Sequence, residues 1–183
     1  MQKTACLRVV FPAKKLAFAS VFSALCFVAT MLVVIPLPNG YFNAGDVFVL
    51  LAGWCLGPLY GGIAAAVGSA LADICSGFAL YAPATFLIKG GVAIIAYYAW
   101  SLCKKLVKSE RLDGICRLFA LVLAESVMVF GYFLFESVLY GVAGGALALV
   151  GNSLQGVCCG AIALTVCGVL RSVKGVRKIF PCL

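Results

Sequence analysis

The chain has 183 residues, 64% of them hydrophobic and only 11% charged, with a mean hydropathy of +1.15. Soluble domains are roughly half apolar and about a quarter charged, so this composition describes an integral membrane protein, read as one domain over residues 1–183. A net charge of +8 would point to nucleic acid in a soluble protein, but here the positions of the charges give it another meaning. There are ten cysteines and no histidine. No CxxC pair occurs, and most cysteines lie inside apolar runs, where a free thiol is a small buried hydrophobe. A zinc or nickel site is disfavoured on that basis. The phosphate-cradling pattern GxxxxGK[ST] is absent, and no nucleophile or cofactor loop stands out. No enzyme and no cofactor is expected.

In chain order, residues 1–15 carry Lys3, Arg8, Lys14 and Lys15, and residues 16–35 follow with no charge. That run is long enough for about 30 Å of helix. A basic start and an apolar run also describe a signal peptide; the length of the run and the apolar segments after it favour an uncleaved first helix. Ala13, Ala17, Ser20 and Ala24 form a stripe of small residues on it, and such faces let helices approach closely. The partner is either another helix of this chain or a different protein.

Residues 36–46 read PLPNGYFNAGD. Proline fixes φ and stops helices, and Asn-Gly favours a turn, so a shaped loop is expected at the membrane surface. It places Tyr41, Phe42, Asn39, Asn43 and Asp46 within a few residues of one another, the chemistry of a lid over a small, partly aromatic ligand. The plainer alternative is an ordinary outer loop in which Asp46 only caps the next helix.

Further helices are expected over residues 47–56 and 59–72, with a turn at Gly57-Pro58. A loop follows at 73–83 containing Phe78 and Tyr81, then a helix over 85–102 with Lys89 near its start. The segment 104–114 is polar. Two more helices are expected at 115–135 and 146–170, joined by a loop at 136–145, and a basic tail closes the chain. Short loops rich in Lys and Arg stay in the cytoplasm. With a turn at Gly57-Pro58, thirteen of the fourteen basic residues fall on the cytoplasmic side. Lys89 is the exception. The expected fold is therefore an all-α membrane protein: a single bundle of six transmembrane helices with both termini cytoplasmic.

Ionisable groups within a bilayer are rare and default to functional hypotheses. Asp46, Asp73 and Lys89 fall at the outer ends of helices. Lys89 is either a ligand contact or the ion-pair partner of Asp73 or Asp46. Glu125, Met128, Tyr132 and Glu136 share one helical face, which should point into the bundle. Asn152 and Gln155 share a face in the outer half of the last helix, for interhelical hydrogen bonding or for ligand contact.

The order GYFNAGD, LGPLYGG, GSALAD and YAPATFLIKG resembles the substrate-binding S components of energy-coupling factor (ECF) vitamin transporters, in the riboflavin-transporter-like branch. Glu125 and the GNSLQG segment extend the likeness into the second half. The resemblance implies a six-helix fold with an outward-facing vitamin pocket beneath the first outer loop. It also implies a transmembrane coupling subunit that docks on the small stripe of the first helix, at Ala13, Ala17, Ser20 and Ala24, and two ATPase subunits that drive transport. With that frame, Tyr41, Phe42 and Tyr81 are expected to hold a heteroaromatic ring, and Asn43, Asp46, Lys89, Asn152 and Gln155 to supply hydrogen bonds. Riboflavin, a thiamine-precursor pyrimidine and a pyridoxine-type ring all fit such a pocket. Location in a prokaryotic cell membrane is expected. Two other readings stay open: a stand-alone secondary transporter or channel using Glu125 and Lys89, and a non-transporting membrane scaffold.

Overall fold

The computed structural model describes residues 12–37 and 40–180; the expectations for Lys3, Arg8 and Asn39 lie outside these. The elements run α1 (Pro12–Leu32), β1 (Val34–Leu37), β2 (Gly40–Asn43), α2 (Gly45–Cys75), α3 (Ala82–Val107), α4 (Asp113–Ser172) and α5 (Lys174–Ile179). Among the described residues, four helices are long and apolar enough to cross a membrane: α1, α2, α3 and α4.

The first departure from expectation comes where α1 ends. The apolar run continues to Ile35, but the helix stops at Leu32. Val33, Val34 and Ile35 are β-branched, which favours extended chain, and Ile35 precedes a proline, which disfavours the α conformation. The expected loop is instead an antiparallel hairpin pairing Val34 with Asn43, Ile35 with Phe42, Pro36 with Tyr41 and Leu37 with Gly40. Helix α2 then begins at Gly45, so Asp46 lies in its first turn. Asp46 makes no N-cap hydrogen bond, because the cap position is Ala44 and carries no capping side chain.

Two of the long helices are interrupted. In α2, Gly57 has φ 82° and ψ −178°, a region open essentially to glycine alone. Pro58 follows and takes the preceding residue out of the α region. The two arms fold back on each other: a Cβ on Gly61 would run into the Ala52 carbonyl. In α4, Gly141 has φ 77° and ψ 167°, and Gly145 lies against the Phe133 carbonyl and Ser137. The expected loop at 136–145 is therefore a single-residue break, and Glu136 stays helical.

Helix α2 is central. In its most apolar stretch 67% of residues are buried, against 33% in α3 and α4 and 17% in α1. Much of the packed interior is small: Ala52, Ala65, Ala93, Ala96, Ala120, Ala124 and Ala163 are almost fully enclosed. Large apolar side chains such as Val138, Val150 and Leu106 point outward. In lipid there is no hydrophobic force between helices, so close van der Waals approach by small residues takes its place. Helix α1 buries a stripe of Ala19, Phe22, Cys26 and Thr30. The stripe of Ala13, Ala17, Ser20 and Ala24 lies on its exposed side.

At the end of the bundle carrying the α3–α4 link, Asp113 is fully enclosed and gathers the helices. Its carboxylate accepts from Arg117 Nε at 2.8 Å and Trp100 Nε1 at 2.9 Å. Arg171 Nη1 lies at 2.6 Å and Lys104 Nζ at 3.2 Å. The Arg117 guanidinium sits over Trp54 and Trp100, at 5.4 and 4.5 Å from their ring centres.

The turn at Gly57 makes a specific demand on the backbone. Gly57→Val should cost about 1–3 kcal/mol from forced φ/ψ, and roughly 2–4 °C per kcal/mol for a chain of this size. Gly91→Ala, where a Cβ meets nothing within 4 Å, should leave the thermal midpoint unchanged. A melting curve of the detergent-purified protein checks both.

Candidate functional site

The hairpin, the 76–81 link and the adjoining ends of α2, α3 and both arms of α4 converge on a cavity of about 50 Å³. It is lined by Tyr41, Asn43, Asp73, Phe78, Tyr81, Thr85, Lys89, Tyr132, Glu136, Leu147, Ala148, Asn152 and Gln155. The contributing elements are far apart in sequence, so the site exists only once the bundle is assembled.

Its floor is an ion pair. Lys89 Nζ lies 2.6 Å from Asp46 Oδ1, with both side chains out of solvent. Gln155 Nε2 donates to the other oxygen, Asp46 Oδ2, at 2.5 Å. The Asn43 backbone N–H donates to Gln155 Oε1 at 2.8 Å, and the Asn43 side-chain oxygen accepts from the Gly45 N–H at 2.9 Å. Thus β2, α2, α3 and the second arm of α4 share one polar network. Burying a pair of charges is costly unless their remaining hydrogen-bonding capacity is met. Asp46 has both oxygens engaged. Lys89 has three donors; one meets Asp46, one points to the Met128 sulfur at 3.0 Å, and the ammonium lies 5.5 Å from the Tyr132 ring centre. Sulfur is a weak acceptor, so Lys89 retains donor capacity where it lines the cavity.

The roof is aromatic. Tyr41 stacks at a tilt on Phe78, centroids 4.8 Å apart. Phe78 meets Tyr81 edge to face at 6.1 Å, and Tyr81 meets Phe135 at 5.3 Å. The Tyr41 hydroxyl donates to Asp73 Oδ1 at 2.6 Å, which closes the hairpin onto the end of α2. Burial, and then the bond to Asp73, raises the Tyr41 phenol above the ordinary tyrosine range. On the wall, the Thr85 and Tyr132 hydroxyls share a hydrogen bond at 2.9 Å.

Among the residues expected from sequence, Asn43, Asp46, Lys89 and Gln155 are in direct contact, and Tyr41, Tyr81 and Asn152 line the same cavity. Two expectations need correction. Phe42 does not line the cavity: strand alternation turns it to the opposite face from Tyr41 and Asn43, where it pairs with Ile35 and packs on the core. Asp46 does not line it either; it lies beneath and holds Lys89 and Gln155 in place. Of the two partners weighed for Lys89, Asp46 takes the ion pair, and Asp73 binds Tyr41 instead. The stripe Glu125, Met128, Tyr132, Glu136 is buried along its whole length. Its last two members, with Asp73, Phe78 and Thr85, line the cavity without having been singled out for ligand contact.

On the outside of α1, Ser20 and Ala24 line an apolar groove of about 450 Å³ together with Ile63, Val67 and Leu71 of the second arm of α2. Ala13 and Ala17 are exposed on the same helix but lie beyond the groove.

Comparison with known proteins gives this arrangement a place. Residues 10–172 match the family described as ECF-type riboflavin transporter, S component. A protein of Pyrococcus woesei, described only as an uncharacterised protein in a gap 3′ region, is 42% identical over 129 residues, 69% of this chain and 80% of that protein. A solved structure of the S component of a bacterial ECF transporter superposes with a TM-score of 0.71 at 25% identity, covering 88% of this chain and 98% of the other. The chain therefore belongs to the family of ECF-type riboflavin transporter S components.

Proposed function

We propose that this substrate-binding S component captures a small heteroaromatic vitamin or vitamin precursor at the end of the bundle closed by the β-hairpin. Riboflavin, a hydroxymethylpyrimidine or thiamine-like compound, and a pyridoxine-like ring are the candidates. Membership of the family implies a vitamin substrate and the partners of the ECF module, and it describes a transporter subunit, not an enzyme. The observation that carries the reading is the buried Asp46–Lys89–Gln155 network beneath an aromatic roof. Lys89, Asn152 and Gln155 offer donors and acceptors to the edge of a ring, and Tyr41, Phe78 and Tyr81 offer faces for stacking, each worth about 1 kcal/mol. The closed cavity of about 50 Å³ is far below the roughly 300–1,000 Å³ of drug-sized sites. Entry of a ring therefore requires the hairpin and the 76–81 link to part, beginning with the Tyr41–Asp73 bond.

In the same reading the chain has six spans in a prokaryotic cell membrane, with the breaks at Gly57 and Gly141 as two of its turns and both termini in the cytoplasm. The distribution of Lys and Arg supports this, because the basic 104–117 segment and the tail then share the cytoplasmic side. The transmembrane coupling subunit docks on the exposed small residues of α1, and two ATPase subunits complete the importer.

Calorimetric titration of the purified protein with riboflavin, thiamine, hydroxymethylpyrimidine and pyridoxine should reveal one tight binder. Heat from none of them would overturn the proposal. Asn152→Ala should weaken that binder roughly fivefold to tenfold, as expected for about 1 kcal/mol per lost hydrogen bond, with no change in melting temperature. Lys89→Met should abolish binding and also destabilise, because it strands a buried carboxylate at a cost of about 3–5 kcal/mol. Adding Asp46→Asn to that variant should restore stability but not binding.

The topology is checked separately with an impermeant maleimide on whole cells. Cys75, exposed at the end of α2, should be labelled, and Cys103 should not. Labelling of Cys103 from outside would overturn the six-span arrangement.

A further inference from the structure

Cys103 and Cys116 face each other across the link between α3 and α4, with the Cys103 thiol directed at Cys116 Sγ over 2.8 Å. A disulfide needs sulfurs at about 2.05 Å, so only a small shift separates this contact from a covalent bond. No comparable thiol pair is found among the other described cysteines. The two sulfurs are held from both sides. Cys103 precedes Lys104 and Cys116 precedes Arg117, and both basic residues bind the enclosed Asp113 carboxylate. Trp100, one turn before Cys103, donates to the same carboxylate. The charge cluster therefore fixes the spacing of α3 and α4 at the level where the thiols meet.

The two cysteines are not equivalent. Cys116 is fully buried, whereas Cys103 is partly open. In the topology proposed above, on which this rests, the link beside them, rich in Lys and Arg, lies on the cytoplasmic side. That compartment keeps thiols reduced at rest, and oxidants reach it as hydroperoxides.

We propose that Cys103 and Cys116 form a redox-modifiable dithiol that hydrogen peroxide converts to a disulfide joining α3 to α4. The open Cys103, as thiolate, attacks one peroxide oxygen; the O–O bond breaks, and Cys103 becomes the sulfenic acid as hydroxide leaves and takes up the thiol proton to form water. Cys116 sulfur then attacks the Cys103 sulfur, the S–O bond breaks, and the departing hydroxide takes the Cys116 proton to give a second water. The balance is two thiols and one H₂O₂ to one disulfide and two waters. Sulfenic acids condense with an adjacent thiol in this way. The bond closes a short loop around residues 104–115 and adds a covalent tie to the charge, hydrogen-bond and aromatic contacts that join these ends of the two helices.

The test uses the full chain in membrane vesicles, exposed to hydrogen peroxide, then denatured in SDS so that the buried Cys116 can be reached, alkylated with N-ethylmaleimide and digested for mass spectrometry. A peptide cross-linked between Cys103 and Cys116 should appear, with loss of maleimide from both, and dithiothreitol should reverse it. Exposed Cys75 and Cys158 serve as internal references and should not enter this cross-link. In Cys103→Ser, Cys116 should stay fully alkylable after peroxide; Cys116→Ser provides the reciprocal check should the first variant fold poorly. Retention of maleimide on both cysteines in the native chain would overturn the proposal. So would equal loss at Cys116 in the Cys103→Ser variant.

Discussion

A lysine and an aspartate enclosed between helices in lipid constrain everything around them. Asp46 and Lys89 are almost wholly out of solvent, and neither charge is tolerable there without the other. Their pairing fixes the start of α2 against the first third of α3. Gln155 then ties the second arm of α4 to the same carboxylate, and through its oxygen to the backbone of β2. One ion pair thereby sets the mutual position of four elements and leaves the remaining donors of Lys89 facing a small cavity. The polar groups that would be ruinous at the lipid face are gathered instead beneath the cavity.

A second cluster does comparable work at the opposite end. Asp113 collects Arg117, Arg171 and Lys104 and is flanked by two tryptophans. Glu110 also reaches Lys104 and Arg171, and the Arg117 guanidinium lies on the aromatic faces of Trp54 and Trp100. Cation–π contacts are worth more where water is excluded. Between the two clusters much of the helix packing runs through alanine, glycine and cysteine, with the buried carboxyl of Glu125 among them.

Much of the helical plan was readable because lipid enforces it. Uncharged runs of spanning length and the Gly57-Pro58 dipeptide carry their geometry in their chemistry, and the break fell at Gly57. The break at Gly141 was blurred into a longer loop starting at Glu136, although Glu136 was also placed on an inward helical face, and it lines the cavity. The hairpin was hidden by Pro36, which reads as a breaker, and by strands only four residues long. Phe42 was misplaced for the same reason, since without a strand there is no alternation to send it away from Tyr41. Asp46, Lys89 and Gln155 were legible as expensive groups in an apolar chain, but whether Lys89 chose Asp46 or Asp73 depended on packing. Thr85 gave no signal, since a lone threonine at a helix start is commonplace.

The way the hairpin is strung carries a mechanical consequence. A single residue, Val33, separates the end of α1 from β1, and Thr30 in the last turns of α1 donates to the Asn43 side chain. β1 is in turn laced to β2, which bears Tyr41. Any tilt or axial slide of α1 is thus geared directly to the mouth of the cavity, with almost no slack to absorb it. The helix that shows its small residues to the surroundings is joined almost rigidly to the hairpin over the cavity.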